Sequence, residues 1–130
     1  MKHIHQVRSI CKKLGIKLID LAQVKDQSQW GDGDNFNRSF IIGAHEIWLG
    51  IYDDDRFKLI SFFHELGHTF LSREYPKQTK YNTLMIELKA WELGIEYALN
   101  KGFIFEDDVI EWGYKRALGY VGWDKRERSK

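Results

Sequence analysis

Apolar residues near the start of the chain recur every three or four positions. They are Ile4, Val7, Ile10, Cys11 and Leu14. This spacing predicts a helix over residues 2–14, which Gly15 would end. An apolar run over 16–24 then predicts a short strand, and the polar, glycine-rich segment 25–39 predicts a loop.

Two more strands are predicted over residues 39–44 and 46–52, joined by a tight turn at 43–45. In the second strand, aliphatic residues alternate with Glu46, Trp48, Gly50 and Tyr52. Because successive side chains of a strand point to opposite faces, one face is apolar and the other carries aromatic side chains and a glycine.

A longer helix is predicted to follow the hairpin. The acidic run at 53–55 supplies an N-cap and a favourable charge for a helix over 55–73, which would end before Pro76. This segment is apolar nearly all round. We therefore expect the helix to be central and buried.

The rest of the chain predicts helices over 83–100 and 106–118, and the basic segment 118–130 is expected to fray. Together the elements predict an α+β fold, with a small antiparallel β-sheet packed on a helical core. The length of 130 residues indicates a single domain. A hydrophobic fraction of 43% and an aromatic fraction of 15% are enough for its core.

Charge and cysteine content narrow the classes of function. The net charge of +1 argues against a dominant surface for polyanions. Basic residues gather toward the C-terminus, but Asp124 and Glu127 dilute them, so we do not expect nucleic acid as a partner. The single cysteine, Cys11, cannot form an internal disulfide, which favours a reducing cytoplasm. Neither a signal peptide nor the roughly 20 apolar residues of a membrane span is found, so no membrane association is expected.

Within the helix predicted over 55–73, residues 64–68 read HELGH. Residues four apart lie one turn apart on the same face, so His64 and His68 can bind one metal ion. Glu65 projects beside that ion and is placed to accept a proton from water there. Zinc lowers the pKa of such a water to about 7, which is why this spacing recurs in metalloproteases. The alternative is a pair of core histidines satisfied by backbone carbonyls.

A third ligand decides between these interpretations. The metzincin pattern fails, because Leu71 and Glu74 stand where it has a glycine and a histidine. Glu74 could still approach the ion, but it lies at the end of the helix, just before Pro76. A deformylase-type site needs a cysteine from a preceding strand, whereas Cys11 lies in the first predicted helix. The remaining source is a glutamate on the next helix.

That helix offers three glutamates: Glu87, Glu92 and Glu96. Glu87 shares a face that is otherwise small or apolar, and a carboxylate on a core-facing stripe needs a cation. Glu92 and Glu96 lie on the flank of this stripe and are expected to face solvent. We therefore favour Glu87 as the third ligand, with a surface position or a salt bridge to Arg73 or Lys89 as the alternative.

The pattern His-Glu-x-x-His followed by a glutamate on the next helix resembles that of the gluzincins. More closely, the segments FFHELGHTFL and IELKAWELGIEYA resemble those of the small ImmA/IrrE-like zinc metallopeptidases of phages and mobile elements. The resemblance covers residues 38–100, including the hairpin and its acidic cap. In that family a glutamate stands three residues before an alanine, here Glu87 and Ala90. Trp91 follows where many members have asparagine.

This resemblance implies a minimal zincin-like fold in which His64, His68 and Glu87 hold a zinc ion and Glu65 acts as general base and acid. It also implies hydrolysis of a peptide bond in a specific protein, such as a regulator or a host factor. A hydrogen-bond donor should stabilise the oxyanion of the tetrahedral intermediate. The candidates for this donor are three tyrosines: Tyr75, Tyr81 and Tyr97.

The strand predicted over 46–52 has two interpretations. It could be an edge strand that pairs with an extended substrate, with Trp48 beside the substrate and Gly50 allowing close approach. In the other interpretation, Trp48 and Tyr52 are packing residues.

Two other functions remain alternatives. A catalytically silent protein with the zincin fold would bind a host factor without cleaving it. A zinc hydrolase could also act on an amide other than a peptide. The intact Glu65 favours an enzyme, because a purely structural site needs no general base.

Overall fold

The structure is a computed structural model and describes residues 3–24, 38–74 and 83–128. These residues form four α-helices and a three-stranded sheet, so the predicted α+β class is confirmed. In chain order the elements are α1 (Ile4–Leu14), β1 (Lys17–Asp20), a 3₁₀ turn (Leu21–Gln23), β2 (Phe40–Ile42), β3 (Glu46–Leu49), α2 (Asp55–Glu74), α3 (Thr83–Asn100) and α4 (Asp107–Arg128). None of the helices in these ranges combines the length and the apolar character needed to cross a membrane.

The first strand is shorter than its apolar sequence predicted. We expected a strand over 16–24, but β1 ends at Asp20. The Asp20 carboxylate accepts a hydrogen bond from the backbone N–H of Ala22 (3.1 Å), and this cap begins the 3₁₀ turn. The loop predicted over 25–39 lies largely outside the described residues.

The sheet has the strand order β1-β3-β2, with β3 in the centre. β2 and β3 pair antiparallel, as the hairpin prediction requires, and Ile41 lies opposite Ile47. β1 pairs with β3 in parallel, with Leu18 opposite Ile47. The sheet is therefore mixed, whereas we predicted an antiparallel one. A parallel pair needs a long crossover connection, and the segment 21–45 between β1 and β3 provides it.

Helix α2 occupies the centre of the core, as its apolar sequence predicted. Its side chains Phe62, Phe63 and Leu66 are fully buried, and Val7 of α1 and Leu49 of β3 belong to the same cluster. α2 contacts β2, β3, α3 and α4. Each fully buried side chain of this size contributes about 1.5–3 kcal/mol. This packing fixes the position of the HELGH segment inside the molecule.

A buried ion pair joins the sheet to the start of α2. The Nζ atom of Lys58 lies 3.0 Å and 3.1 Å from the two carboxylate oxygens of Asp20. Both side chains are less than one-tenth exposed. Asp20 therefore has two roles, because it also caps the 3₁₀ turn. Removing either partner would leave an uncompensated charge inside the protein.

Two glycines allow α2 and α3 to pack backbone against backbone. A β-carbon added to Gly67 on α2 would overlap the carbonyl oxygen of Ala90 on α3. A β-carbon on Gly94 of α3 would overlap the carbonyl oxygen of Phe63 on α2 in the same way. Gly67 belongs to the HELGH segment and Phe63 directly precedes it, so the two contacts set the distance between that segment and α3.

Helix α4 continues to Arg128, although we predicted an end at residue 118 and a frayed segment beyond it. The only proline of the chain is Pro76, so no proline interrupts this helix.

Candidate metal centre

The three predicted ligands meet between α2 and α3. His64 and His68 lie one turn apart on α2, with their ring centroids 4.8 Å apart. Glu87 projects from α3, and its Oε2 atom lies 3.0 Å from Nε2 of His64 and 3.1 Å from Nε2 of His68. The three potential ligand atoms all lie within 4.8 Å of one another. The structure therefore brings the three predicted ligands together, and their binding of a metal ion stays a prediction.

The Glu87 carboxylate makes a well-formed hydrogen bond with only one of the two imidazoles. The contact from His68 has hydrogen-bond geometry. The Nε2 atom of His64 is buried and has no hydrogen-bond partner of acceptable angle, although Glu87 is only 3.0 Å away. An unsatisfied buried nitrogen costs about 1–3 kcal/mol, so native proteins seldom keep one without a reason. Two imidazole nitrogens and a carboxylate oxygen aimed at one point fit a metal ion.

The electrostatics of Glu87 and His64 favour the forms that bind a metal, whereas those of His68 favour its protonated form. Burial raises the pKa of Glu87, but its contacts with His64 and His68 outweigh burial and lower this pKa to about 2. Burial, together with the charge on His68, lowers the pKa of His64 below its usual range despite the opposing carboxylate. For His68, burial is outweighed by the hydrogen bond to Glu87 and by nearby carboxylates, so its pKa is raised. Glu87 is therefore ionised and His64 is neutral at pH 7, the forms in which these groups bind metals.

Glu65 lies beside the ligands on α2 and is buried. Burial raises its pKa to about 8, although the charge on His68 opposes this shift. A carboxyl group with a raised pKa in a cleft can exchange protons near neutral pH. The residue predicted as the general base therefore occupies an environment that suits proton transfer.

Glu65 and His64 open onto a recess bounded by α2, α3, α4 and the segment after β3. The recess is lined by residues that include Ser39, Tyr52, His64, Glu65, Trp91 and Trp112. Trp91 places the edge of its ring against His64, with the centroids 6.0 Å apart. Gly113 of α4 makes room for Trp91, because a β-carbon there would lie 2.6 Å from ring atoms. The recess therefore places aromatic side chains beside His64 and Glu65.

The other ligand candidates lie elsewhere. Glu92 and Glu96 are exposed, as predicted. Cys11 is buried in the core cluster, and burial raises the pKa of its thiol to about 11. Arg73 was the alternative salt-bridge partner for Glu87, and its guanidinium donates a hydrogen bond to the carbonyl of Leu14. The side chain of residue 74 lies outside the described part of the chain.

Tyr97 does not reach the candidate metal centre. It packs against Phe70, with ring centroids 5.5 Å apart, and Lys101 lies over its ring. Ten positions separate Tyr97 from Glu87 on α3, which is about 15 Å along a helix. Tyr97, one of the three candidate oxyanion donors, therefore lies away from the predicted ligands. Tyr75 and Tyr81, the other two candidates, lie outside the described residues.

The strand predicted to pair with substrate is not an edge strand. β3 lies between β1 and β2, so both of its edges carry backbone hydrogen bonds already. The ring of Trp48 stacks on that of Phe40, with centroids 5.5 Å apart, and its Nε1–H donates a hydrogen bond to the Glu46 carboxylate (2.7 Å). These contacts are those of a packing residue. Gly50 allows the close approach of the backbone of Arg38, not of a substrate.

Sequence reasoning missed the polar wall of the recess. The Oγ atom of Ser39 accepts a hydrogen bond from the backbone N–H of Gly50 (3.0 Å) and lies 3.1 Å from the hydroxyl oxygen of Tyr52. Trp112 of α4 packs edge-on against Tyr52. The alternation of the strand predicted over 46–52 did place Tyr52 opposite the apolar face, which was a usable signal. Nothing in the sequence pattern placed Trp112 near residues of the preceding hairpin.

Comparison of the chain with protein-family models, with curated proteins and with solved structures finds no match in any of the three.

Proposed function

We propose that this protein is a zinc-dependent metallopeptidase that hydrolyses a peptide bond in a specific protein substrate. The observation that carries the proposal is the position of the Glu87 carboxylate, which lies about equally close to Nε2 of His64 (3.0 Å) and of His68 (3.1 Å). Beside this triad lies a carboxyl group, Glu65, which is not needed to hold a metal. A structural metal site would not require it.

His64, His68 and Glu87 would hold the zinc ion. When bound, zinc polarises a carbonyl group and lowers the pKa of water to about 7. Three protein ligands are typical of catalytic zinc, which keeps one position for water or substrate, whereas structural zinc has four. Three potential ligands come together among the described residues, and this number supports a catalytic role.

Glu65 supplies the proton transfers. It accepts a proton from the attacking water and later donates it to the departing amine, so that one residue acts as base and then as acid. The position of Glu65 in the same recess as His64 supports this assignment. Burial keeps bulk water away from the carboxyl group.

The recess lies between three helices and the segment after β3, and its walls combine aromatic rings with hydroxyl groups. The resemblance to ImmA/IrrE-like metallopeptidases favours a regulator or host factor as the substrate. The single cysteine, Cys11, is buried as a thiol, which favours a cytoplasmic location.

Elemental analysis tests the metal site. We expect about one zinc ion per chain in the parent and much less in His64→Ala and Glu87→Ala. Glu92→Ala is the matched control, because Glu92 is an exposed glutamate of the same helix, and it should bind as much zinc as the parent. A parent that binds no zinc even after zinc is added back would overturn the proposal.

Glu65→Gln separates an enzyme from a binding protein. The variant should bind zinc like the parent and lose hydrolysis of the protein substrate, because glutamine cannot accept the proton. A biological effect that survives this substitution would assign the chain to the catalytically silent class instead.

A further inference from the structure

The recess contains a hydroxyl pair whose hydrogens can be assigned. Ser39 and Tyr52 both line the recess and touch through their side-chain oxygens, 3.1 Å apart. The Oγ atom of Ser39 also accepts a hydrogen bond from the backbone N–H of Gly50 (3.0 Å). Ser39 is buried, and Tyr52 is half-buried. The pair has two hydroxyl hydrogens, of which the bond between the residues uses one.

The direction of this bond follows from burial. If Tyr52 donated, the hydrogen of the buried Ser39 hydroxyl would have no acceptor among the described residues, and such a loss costs about 1–3 kcal/mol. If Ser39 donates, both of its hydrogen-bonding functions are satisfied. The hydroxyl hydrogen of Tyr52 is then not used by the bond to Ser39, and Tyr52 lines the recess.

The ring of Tyr52 is held in place on two sides. Trp112 packs against it edge to face, with centroids 6.0 Å apart, and the guanidinium of Arg116 lies 5.7 Å from its centroid. A donor that is already oriented stabilises developing negative charge without a cost of reorganisation. Tyr52 thus has both the free hydrogen and the fixed position that such a donor needs.

We propose that Tyr52 is a catalytic residue of the hydrolase, donating a hydrogen bond from its hydroxyl to the carbonyl oxygen of the scissile peptide as that oxygen becomes an oxyanion. Ser39 is the positioning residue, which fixes the orientation of the Tyr52 hydroxyl. This inference rests on the proposed metallopeptidase function. It assigns the role that the sequence had assigned to Tyr75, Tyr81 or Tyr97.

The test uses the zinc-loaded full chain and a phosphonamidate dipeptide, whose tetrahedral anionic phosphorus centre has the shape and charge of the oxyanion. Tyr52→Phe removes the hydroxyl and keeps the ring. Calorimetry should show the phosphonamidate binding about 10- to 100-fold more weakly to Tyr52→Phe than to the parent, the range for one hydrogen bond to a charged group. Zinc per chain should stay at the value of the parent.

Two further variants separate catalysis from packing. Ser39→Ala should weaken phosphonamidate binding in the same direction but less, because the Tyr52 hydroxyl is present but no longer oriented. Tyr97→Phe is the matched control, since Tyr97 lies outside the recess, and it should bind the phosphonamidate like the parent.

The outcomes distinguish this inference from the function it rests on. Equal affinities of Tyr52→Phe and the parent for the phosphonamidate would overturn the role of Tyr52 and leave the metallopeptidase intact. A parent that binds zinc but not the phosphonamidate would also overturn the role of Tyr52. A parent that binds no zinc would overturn both proposals.

Discussion

Gly67 of α2 faces the backbone carbonyl of Ala90 on α3 with no room for a β-carbon between them. Gly94 of α3 faces the carbonyl of Phe63 in the same manner. These contacts lie at the level of the candidate ligands, between the helix that carries the histidines and the helix that carries Glu87. The geometry of the candidate metal centre therefore depends on the packing of each glycine against the backbone of the opposite helix.

Gly67→Ala should destabilise the protein. In an unhindered helix, alanine is about 1 kcal/mol more favourable than glycine. Here the overlap with the Ala90 carbonyl should outweigh that gain, because overpacking of this kind costs about 1–3 kcal/mol or more. We expect a lower urea midpoint and reduced zinc binding. Ser72→Ala, on the same helix, is the control and should change stability by less than about 0.5 kcal/mol. A higher midpoint for Gly67→Ala would show that the helices can move apart.

Removal of the metal should lower stability without unfolding the helices. The core around Phe62, Phe63 and Leu66 does not depend on the ligands, so helical circular dichroism should persist in chelator. A ligand that binds only the folded state stabilises it by about 2.7 kcal/mol at a concentration of 100 times its Kd. Adding zinc should therefore raise the melting temperature of the parent but not of Glu87→Ala. Equal shifts in both proteins would contradict the site.

Breaking the buried ion pair should cost far more than breaking an exposed one. Asp20→Asn leaves Lys58 buried without its counter-charge, and loss of one partner typically costs about 3–5 kcal/mol. Lys17 and Glu46 form the comparison pair, 3.8 Å apart with the Lys17 side chain 70% exposed. Lys17→Met should change the free energy of unfolding by less than about 1 kcal/mol. Chemical denaturation measures both, and similar losses would contradict the burial of Lys58.

The thiol of Cys11 should make stability depend on alkaline pH. Burial raises its pKa from 9.0 to about 11, so the unfolded chain ionises first as the pH rises. The contribution of Cys11 is therefore complete below pH 9 and is lost between pH 9 and about 11. Across that range the urea midpoint of the parent should fall more steeply than that of Cys11→Ala. If the urea midpoints of the two proteins fell in parallel with pH, the thiol would have the same pKa in the folded and unfolded states.

The raised pKa of the Cys11 thiol also predicts that the folded protein is alkylated slowly. At pH 8 the thiolate fraction of Cys11 should be about 100-fold lower than for a free thiol, because thiolate is the reactive form and the pKa is about two units higher. Iodoacetamide should label Cys11 quickly in urea and slowly in buffer. Rapid labelling in buffer would contradict the burial of the thiol.

Much of the candidate site could be predicted from the sequence, because it depends on local helix geometry. The spacing of His64 and His68 requires only one helical turn, and Glu87 was a carboxylate on a stripe of small residues. Helix α3 begins and ends where its pattern predicted, Thr83–Asn100. Each of these inferences depends on the 3.6-residue period of a helix, which sequence reports directly.

Features that depend on contacts between residues far apart in the sequence could not be predicted. Tyr52 and Ser39 meet across 13 positions, and Trp112 reaches Tyr52 from another helix. The parallel pairing of β1 with β3 depends on the path of the long connection between them. Tyr97 had the right chemistry, but it lies away from the predicted ligands. Tertiary packing, not residue type, decided these outcomes.

Gly67 and Gly94 also determine how long the side chain at position 87 must be, because they fix the distance that it has to span from α3 to the histidines. An aspartate there would be shorter by one carbon–carbon bond, about 1.5 Å. Elsewhere, two helices could move together to close such a gap. Here the backbones already touch at Gly67 and Gly94, so no further approach is available. The contact thus selects glutamate over the chemically equivalent aspartate, and the reason is the reach of the side chain.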